Sequence, residues 1–124
     1  MKILLASAAA LALTIGDGCR GLYVNWFAQV ASLKYTCDRE VAPNEGRIVE
    51  VLVAQNGGYE PIDPAALYSV VTNNYVRNGG DVYKMFWDGL NAYDYGPGLK
   101  VVLVEYMAEQ GSDGPYLNGR ISVK

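Results

Sequence analysis

The spacing of apolar positions along the chain marks a series of strands and one helix. Leu33, Tyr35 and Cys37 alternate with Lys34, Thr36 and Asp38, the period-two pattern of a half-buried strand. Residues 39–46 form a polar loop with Pro43 and Gly46. Arg47–Gln55 reads as a second strand, with Val49, Val51 and Val53 on one face and Ile48, Glu50 and Leu52 on the other. Asn56-Gly57-Gly58 is a tight-turn signal, so Tyr59–Ile62 returns as a short partner strand. Asp63-Pro64-Ala65-Ala66 makes a further turn, and Leu67–Thr72 is the next strand. It delivers Val70 to Phe86, a stretch in which a β-branched run leads into Thr72-Asn73-Asn74-Tyr75, then Asn78-Gly79-Gly80-Asp81, then a second aromatic cluster. Tyr83–Trp87 is expected to pack beneath that loop, and Asp88–Gly98 reads as loop again. Leu99, Val102, Leu103, Tyr106 and Met107 then fall at helical spacing, which predicts an amphipathic helix over 99–110 with Lys100, Glu105 and Glu109 outward and Gly111 as its stop. Ser112–Asn118 is loop, and Gly119–Val123 a last strand. The expected class is α+β: a mixed or antiparallel sheet with one or two packed helices.

The first 18 residues admit two readings. Lys2 precedes an apolar run, Ile3 to Leu13, and small residues follow, as in a secretory signal peptide. The run is too short to form a stable membrane span. Leu4, Leu5, Ala8, Leu11, Ala12 and Ile15 also fit the face of an N-terminal helix. The division is therefore 1–18 as leader or helix and 19–124 as the folded domain. Cys19 and Cys37 are the only cysteines, and both pairing and separate thiols stay open.

Composition narrows the chemistry. Hydrophobic residues make up 51% and charged residues 19% of 124, which suits one small folded domain. A net charge of −3 without a basic cluster argues against binding a nucleic-acid backbone. There is no histidine. Ser-His-Asp and Cys-His catalysis need imidazole outright, and zinc and dinuclear phosphoesterase sites lean on it. No catalytic or metal-ligating residue is assigned.

Phe27-Ala28-Gln29-Val30, Gly46-Arg47-Ile48-Val49, Pro61-Ile62-Asp63-Pro64, Tyr68 to Tyr75, Asn78 to Asp81, Tyr83-Lys84-Met85-Phe86 and Gly119-Arg120-Ile121 follow one another in an order that resembles the C-terminal domain of the 5'-nucleotidase family. The Thr-Asn-Asn-Tyr and Asn-Gly-Gly-Asp blocks are the most specific part. The resemblance implies an exported or surface-bound enzyme of two domains. A metallophosphoesterase domain holding two divalent metals would do the hydrolysis, and the C-terminal domain would grip the nucleoside between aromatic rings. By position, Tyr75 corresponds to one stacking ring and Asp81 to the carboxylate that bonds the ribose. Asn78, Gly79 and Gly80 correspond to the loop around them. The implied ligand is a nucleoside or nucleotide such as adenosine or AMP, and the implied partner is the metallophosphoesterase domain.

Three departures qualify that likeness. Val82 stands where the family has glycine, and would be strained if that position needs a positive φ. An upstream Gly-Gly-Gly-Ile-Arg segment is missing, along with the second stacking aromatic. The metal domain is also missing, so the chain holds no cofactor of its own. Three functions follow as expectations: a non-catalytic substrate-binding domain of a 5'-nucleotidase in nucleotide catabolism, a stand-alone nucleoside-binding module, or a non-functional fragment. Localisation would be secreted, periplasmic or at the cell surface if residues 1–18 are a leader.

Overall fold

The computed structural model describes residues 2–7, 29–42 and 45–124. Among these, seven strands fall into two sheets. One has four strands, β4 (Gly58–Pro61), β3 (Ile48–Gln55), β2 (Leu33–Cys37) and β7 (Ile121–Val123), in that order. The other has three, β5 (Leu67–Thr72), β1 (Lys2–Ser7) and β6 (Leu90–Tyr93), with β1 in the middle. With a helix at Leu99–Gln110, the class is α+β, as the sequence predicts.

Strand β2 anchors the four-stranded sheet. Its alternation is realised: Leu33, Tyr35 and Cys37 are buried while Lys34 and Thr36 are half-buried. Antiparallel pairing sets Leu33 opposite Val53 and Tyr35 opposite Val51, so the buried faces of β2 and β3 coincide. Val49 belongs to the same set by parity but is 47% exposed, because a register shift at Thr36 and Cys37 ends the regular ladder there. The β3–β4 hairpin turns at Asn56 and Gly57, both with positive φ (51° and 79°), the pair that an Asn-Gly turn supplies. On the far side β7 runs parallel to β2, Tyr35 facing Ile121. Arg120 fastens that edge: its Nε donates to Asn118 Oδ1 at 2.8 Å and its guanidinium to the Val30 carbonyl. Val30, Ile48, Ile62, Tyr68 and Ile121 complete the core around these strands.

Several expectations are corrected. Lys2–Ser7 is not the start of a helix, one of the two readings of the N-terminus, but a strand paired antiparallel to β5, Lys2 opposite Thr72 and Ser7 opposite Leu67. The rest of that reading, residues 8–18, lies outside the described residues, as do Cys19 and Phe27. Cys37 is disulfide-bonded, which removes the free-thiol alternative for it. Leu90–Tyr93, expected as loop, is strand β6. The helix 99–110, α2 below, spans the predicted residues, yet none of them is buried, and Leu99, Leu103, Tyr106 and Met107 are all exposed. Amphipathic spacing promised a packed face, and no neighbour among the described residues covers it. No helix of the described residues is long and apolar enough to cross a membrane.

Candidate functional site

The loop that follows β5 is built by local hydrogen bonding. Asn73 is extended (φ −79°, ψ 167°), and its Oδ1 accepts from the Val76 amide at 2.8 Å, capping a single helical turn, Asn74–Arg77, labelled α1. Asn78 closes the turn, its amide donating to the Asn74 carbonyl at 3.1 Å. Gly79 then takes the left-handed conformation (φ 82°) that stops the helix. A 3-10 turn over Gly80–Val82 follows, and its left-handed residue is Asp81 (φ 50°, ψ 35°). The unusual backbone therefore falls on an aspartate, a residue that tolerates it, so the condition under which Val82 would be strained does not arise.

A small second core holds this loop from below. Tyr83 and Phe86 are buried, packed with Val70, Val76 and Met85, their rings 6.4 Å apart. Arg77 is tied to the same floor, donating from Nη1 to the Phe86 carbonyl. Its Nε is buried with no partner among the described residues.

These constraints bring two of the predicted site residues together. The Tyr75 hydroxyl donates to Asp81 Oδ1 at 3.0 Å. The Tyr75 ring is 58% exposed and lies over Gly80: a Cβ built there would come within 2.5 Å of its Cε1. Gly80 is thus required by the ring that rests on it, and Gly79 by its φ. Asn78 is exposed at the rim and serves the loop through its backbone. All five predicted residues lie on one turn, with ring, carboxylate and diglycine backbone within contact of one another.

Sequence reading missed three contributors. Asn73 is the cap, a signal hidden because the helix it caps is only four residues long. Arg77 is the pin to Phe86, for which the sequence offers no signal. Trp87 does not pack beneath the loop as expected but is 55% exposed, its indole against Gly79. Lys84–Asp88 is a 3-10 segment, and a period of three puts Tyr83 and Phe86 on one side and Lys84 and Trp87 on the other. Beside α1 lies a separate cleft of about 490 Å³, lined by Thr72, Asn73, Asn74, Asp94, Pro97 and Leu99 among others; neither Tyr75 nor Asp81 lines it. Among the described residues, no three His, Cys, Asp or Glu side chains converge as metal ligands do.

Comparison with known proteins gives a consistent set. Residues 10–88 match the family model of the 5'-nucleotidase C-terminal domain. The trifunctional nucleotide phosphoesterase YfkN of Bacillus subtilis (strain 168) is 33% identical over 97 residues, 77% of this chain and 7% of that protein. The 5'-nucleotidase of Rattus norvegicus is 36% identical over 63 residues, 51% of this chain and 11% of that protein. Among solved structures, the 5'-nucleotidase precursor from Thermus thermophilus superposes with a TM-score of 0.88 at 28% identity, covering 98% of this chain and 24% of that one. The NAD nucleotidase of Haemophilus influenzae shares the fold, with a TM-score of 0.78 at 21% identity over 99% of this chain and 24% of that one. The chain spans less than a fifth of the length of each of these two curated relatives.

Proposed function

The chain belongs to the family of 5'-nucleotidase C-terminal domains, and on that footing we propose that its Tyr75–Asp81 loop binds the nucleoside part of a nucleotide substrate. One observation carries the reading. An exposed tyrosine stands on a diglycine turn with its hydroxyl 3.0 Å from a carboxylate oxygen of Asp81. An open ring face can stack on a base, worth about 1–3 kcal/mol per base in single-strand systems. A carboxylate can accept from both hydroxyls of a ribose cis-diol. In the free chain Asp81 Oδ1 already accepts from Tyr75, so one ribose hydroxyl meets the other carboxylate oxygen or displaces the phenol.

Hydrolysis is assigned to a metallophosphoesterase domain, on this polypeptide or another, where a pair of divalent metals supplies the phosphoester chemistry. This chain, without a histidine, contributes binding and orientation. The substrate class follows the relatives, named as nucleotidases and a nucleotide phosphoesterase. Export of the parent protein is part of the same reading.

Calorimetric titration of the chain with adenosine, AMP and 2'-deoxyadenosine tests it. Saturable binding is expected, with adenosine about tenfold or more tighter than the deoxy analogue, the worth of a hydrogen bond to a charged group. Asp81→Asn should shrink that preference. No saturable heat up to millimolar adenosine would sink the reading.

A further inference from the structure

Three asparagines in the chain are followed directly by glycine: Asn56-Gly57, Asn78-Gly79 and Asn118-Gly119. Such a pair can react with itself. The glycine amide nitrogen attacks the asparagine side-chain carbonyl, and glycine has no side chain to hinder the approach. The fold treats the three pairs differently, and the difference lies at the two atoms that react.

At Asn78 the attacking atom is occupied. The Gly79 N–H donates to the Val76 carbonyl at 3.0 Å, part of the bonding that closes α1. At Asn56 the side-chain carbonyl has no support. Its Nδ2 donates to Glu60 Oε1 at 3.2 Å, and no donor among the described residues reaches its Oδ1. A carboxylate so close opposes negative charge on that oxygen. Asn118 is the opposite case. Its Oδ1 accepts from the Arg120 amide at 3.2 Å and from Arg120 Nε at 2.8 Å. The guanidinium is itself fixed, since it also donates to the Val30 carbonyl. A side chain that reaches the amide two residues on is folded forward over the Gly119 nitrogen. The Gly119 N–H has no partner among the described residues, and Asn118 and Gly119 are both exposed.

We propose that Asn118 is a site of spontaneous deamidation, promoted by Arg120. The Gly119 nitrogen gives its proton to solvent and forms a bond to Cγ of Asn118, which drives negative charge onto Oδ1. The two Arg120 donors hold that charge as oxyanion-hole donors do. The bond from Cγ to Nδ2 then breaks, Nδ2 takes up a proton and leaves as ammonia, and a succinimide ring remains. One water opens the ring at either carbonyl, giving aspartate or isoaspartate. Aspartate sets a carboxylate against the Arg120 guanidinium. Isoaspartate inserts an extra methylene into the main chain just before β7, whose first residue, Ile121, faces Tyr35.

The test holds the full chain in mildly alkaline buffer made with heavy-oxygen water, once folded and once in concentrated urea. Peptide mapping by mass spectrometry then reads the label that each residue gains when its succinimide opens. In the folded chain Asn118 should gain label about tenfold or more faster than Asn56 or Asn78, the worth of a hydrogen bond from a charged donor. In urea, where Arg120 no longer holds Oδ1 and Gly79 is released, the three rates should converge. Arg120→Met should remove the lead of Asn118 in the folded chain. If that variant fails to fold, the comparison of folded and urea-treated unaltered chain decides alone. An Asn118 that labels no faster than the other two, or that leads by the same margin in urea, would overturn the inference. An undiminished lead in folded Arg120→Met would overturn it as well.

Discussion

A methyl group added at Gly80 would press on the Tyr75 ring from 2.5 Å, and one added at Gly79 would press on Trp87 from 2.8 Å. The two substitutions should nevertheless differ. Tyr75 is exposed and can swing aside, so Gly80→Ala is expected to leave the fold intact, break the 3.0 Å bond to Asp81 and weaken adenosine binding at least as much as loss of the ring would. Calorimetry together with unchanged thermal unfolding would confirm this; an undiminished affinity would contradict it. Gly79 also sits at φ 82°, so alanine there is strained whatever Trp87 does, and should cost about 1–2 kcal/mol of stability in urea unfolding. Much of this was legible from the residues. Tyr75 and Asp81 were assigned to one site by the family resemblance, and the bond between them is what the structure adds. What the motif could not supply was which residue takes the left-handed backbone, since that depends on where the helical turn stops. Val82 was the suspect, and Asp81 carries it.

Strand β2 was the most legible element, because strict alternation and burial coincide over its whole length. Its central residue has a measurable consequence. Burial pushes the Tyr35 phenol well above the ordinary tyrosine range, and the neighbouring Tyr83 adds to the effect. The folded chain thus holds that proton more tightly than the unfolded chain. The corresponding stability is intact below about pH 10, where an unfolded tyrosine begins to ionise, and is lost as pH rises from there toward the folded value. Thermal melts should therefore fall steeply above about pH 10, and Tyr35→Phe should flatten that fall. An identical alkaline slope in the variant would contradict it. Helix α2 was legible in extent but not in environment. Spacing at three and four residues specifies which side chains share a face, yet not whether anything meets that face. Strand β6 was illegible for a different reason: four exposed residues, Leu90–Tyr93, show no alternation of burial to read.

At the scale of the whole molecule, the buried side chains of the described residues fall into two clusters, one in the four-stranded sheet and one beneath the loop. The proposed function leaves hydrolysis to a separate metallophosphoesterase domain. Purified chain should accordingly release no phosphate from AMP when Zn²⁺, Mn²⁺ or Mg²⁺ is added, as read by a colorimetric phosphate assay. Metal-dependent release by the chain alone would disprove that assignment. Among the described residues nothing covers the exposed apolar side chains of α2, which the sequence pattern had assigned to the interior. The edge strand β7 sets the timing of assembly. It lies far along the chain from the strand it flanks, and Tyr35 donates its amide to the Arg120 carbonyl at 2.9 Å. On a ribosome, β2, β3 and β4 emerge with one flank of β2 open, and they wait through the synthesis of the loop and of α2 before that flank is covered. The parallel pairing closes the longest loop in the sheet, so its formation is the slow step expected when distant segments must meet.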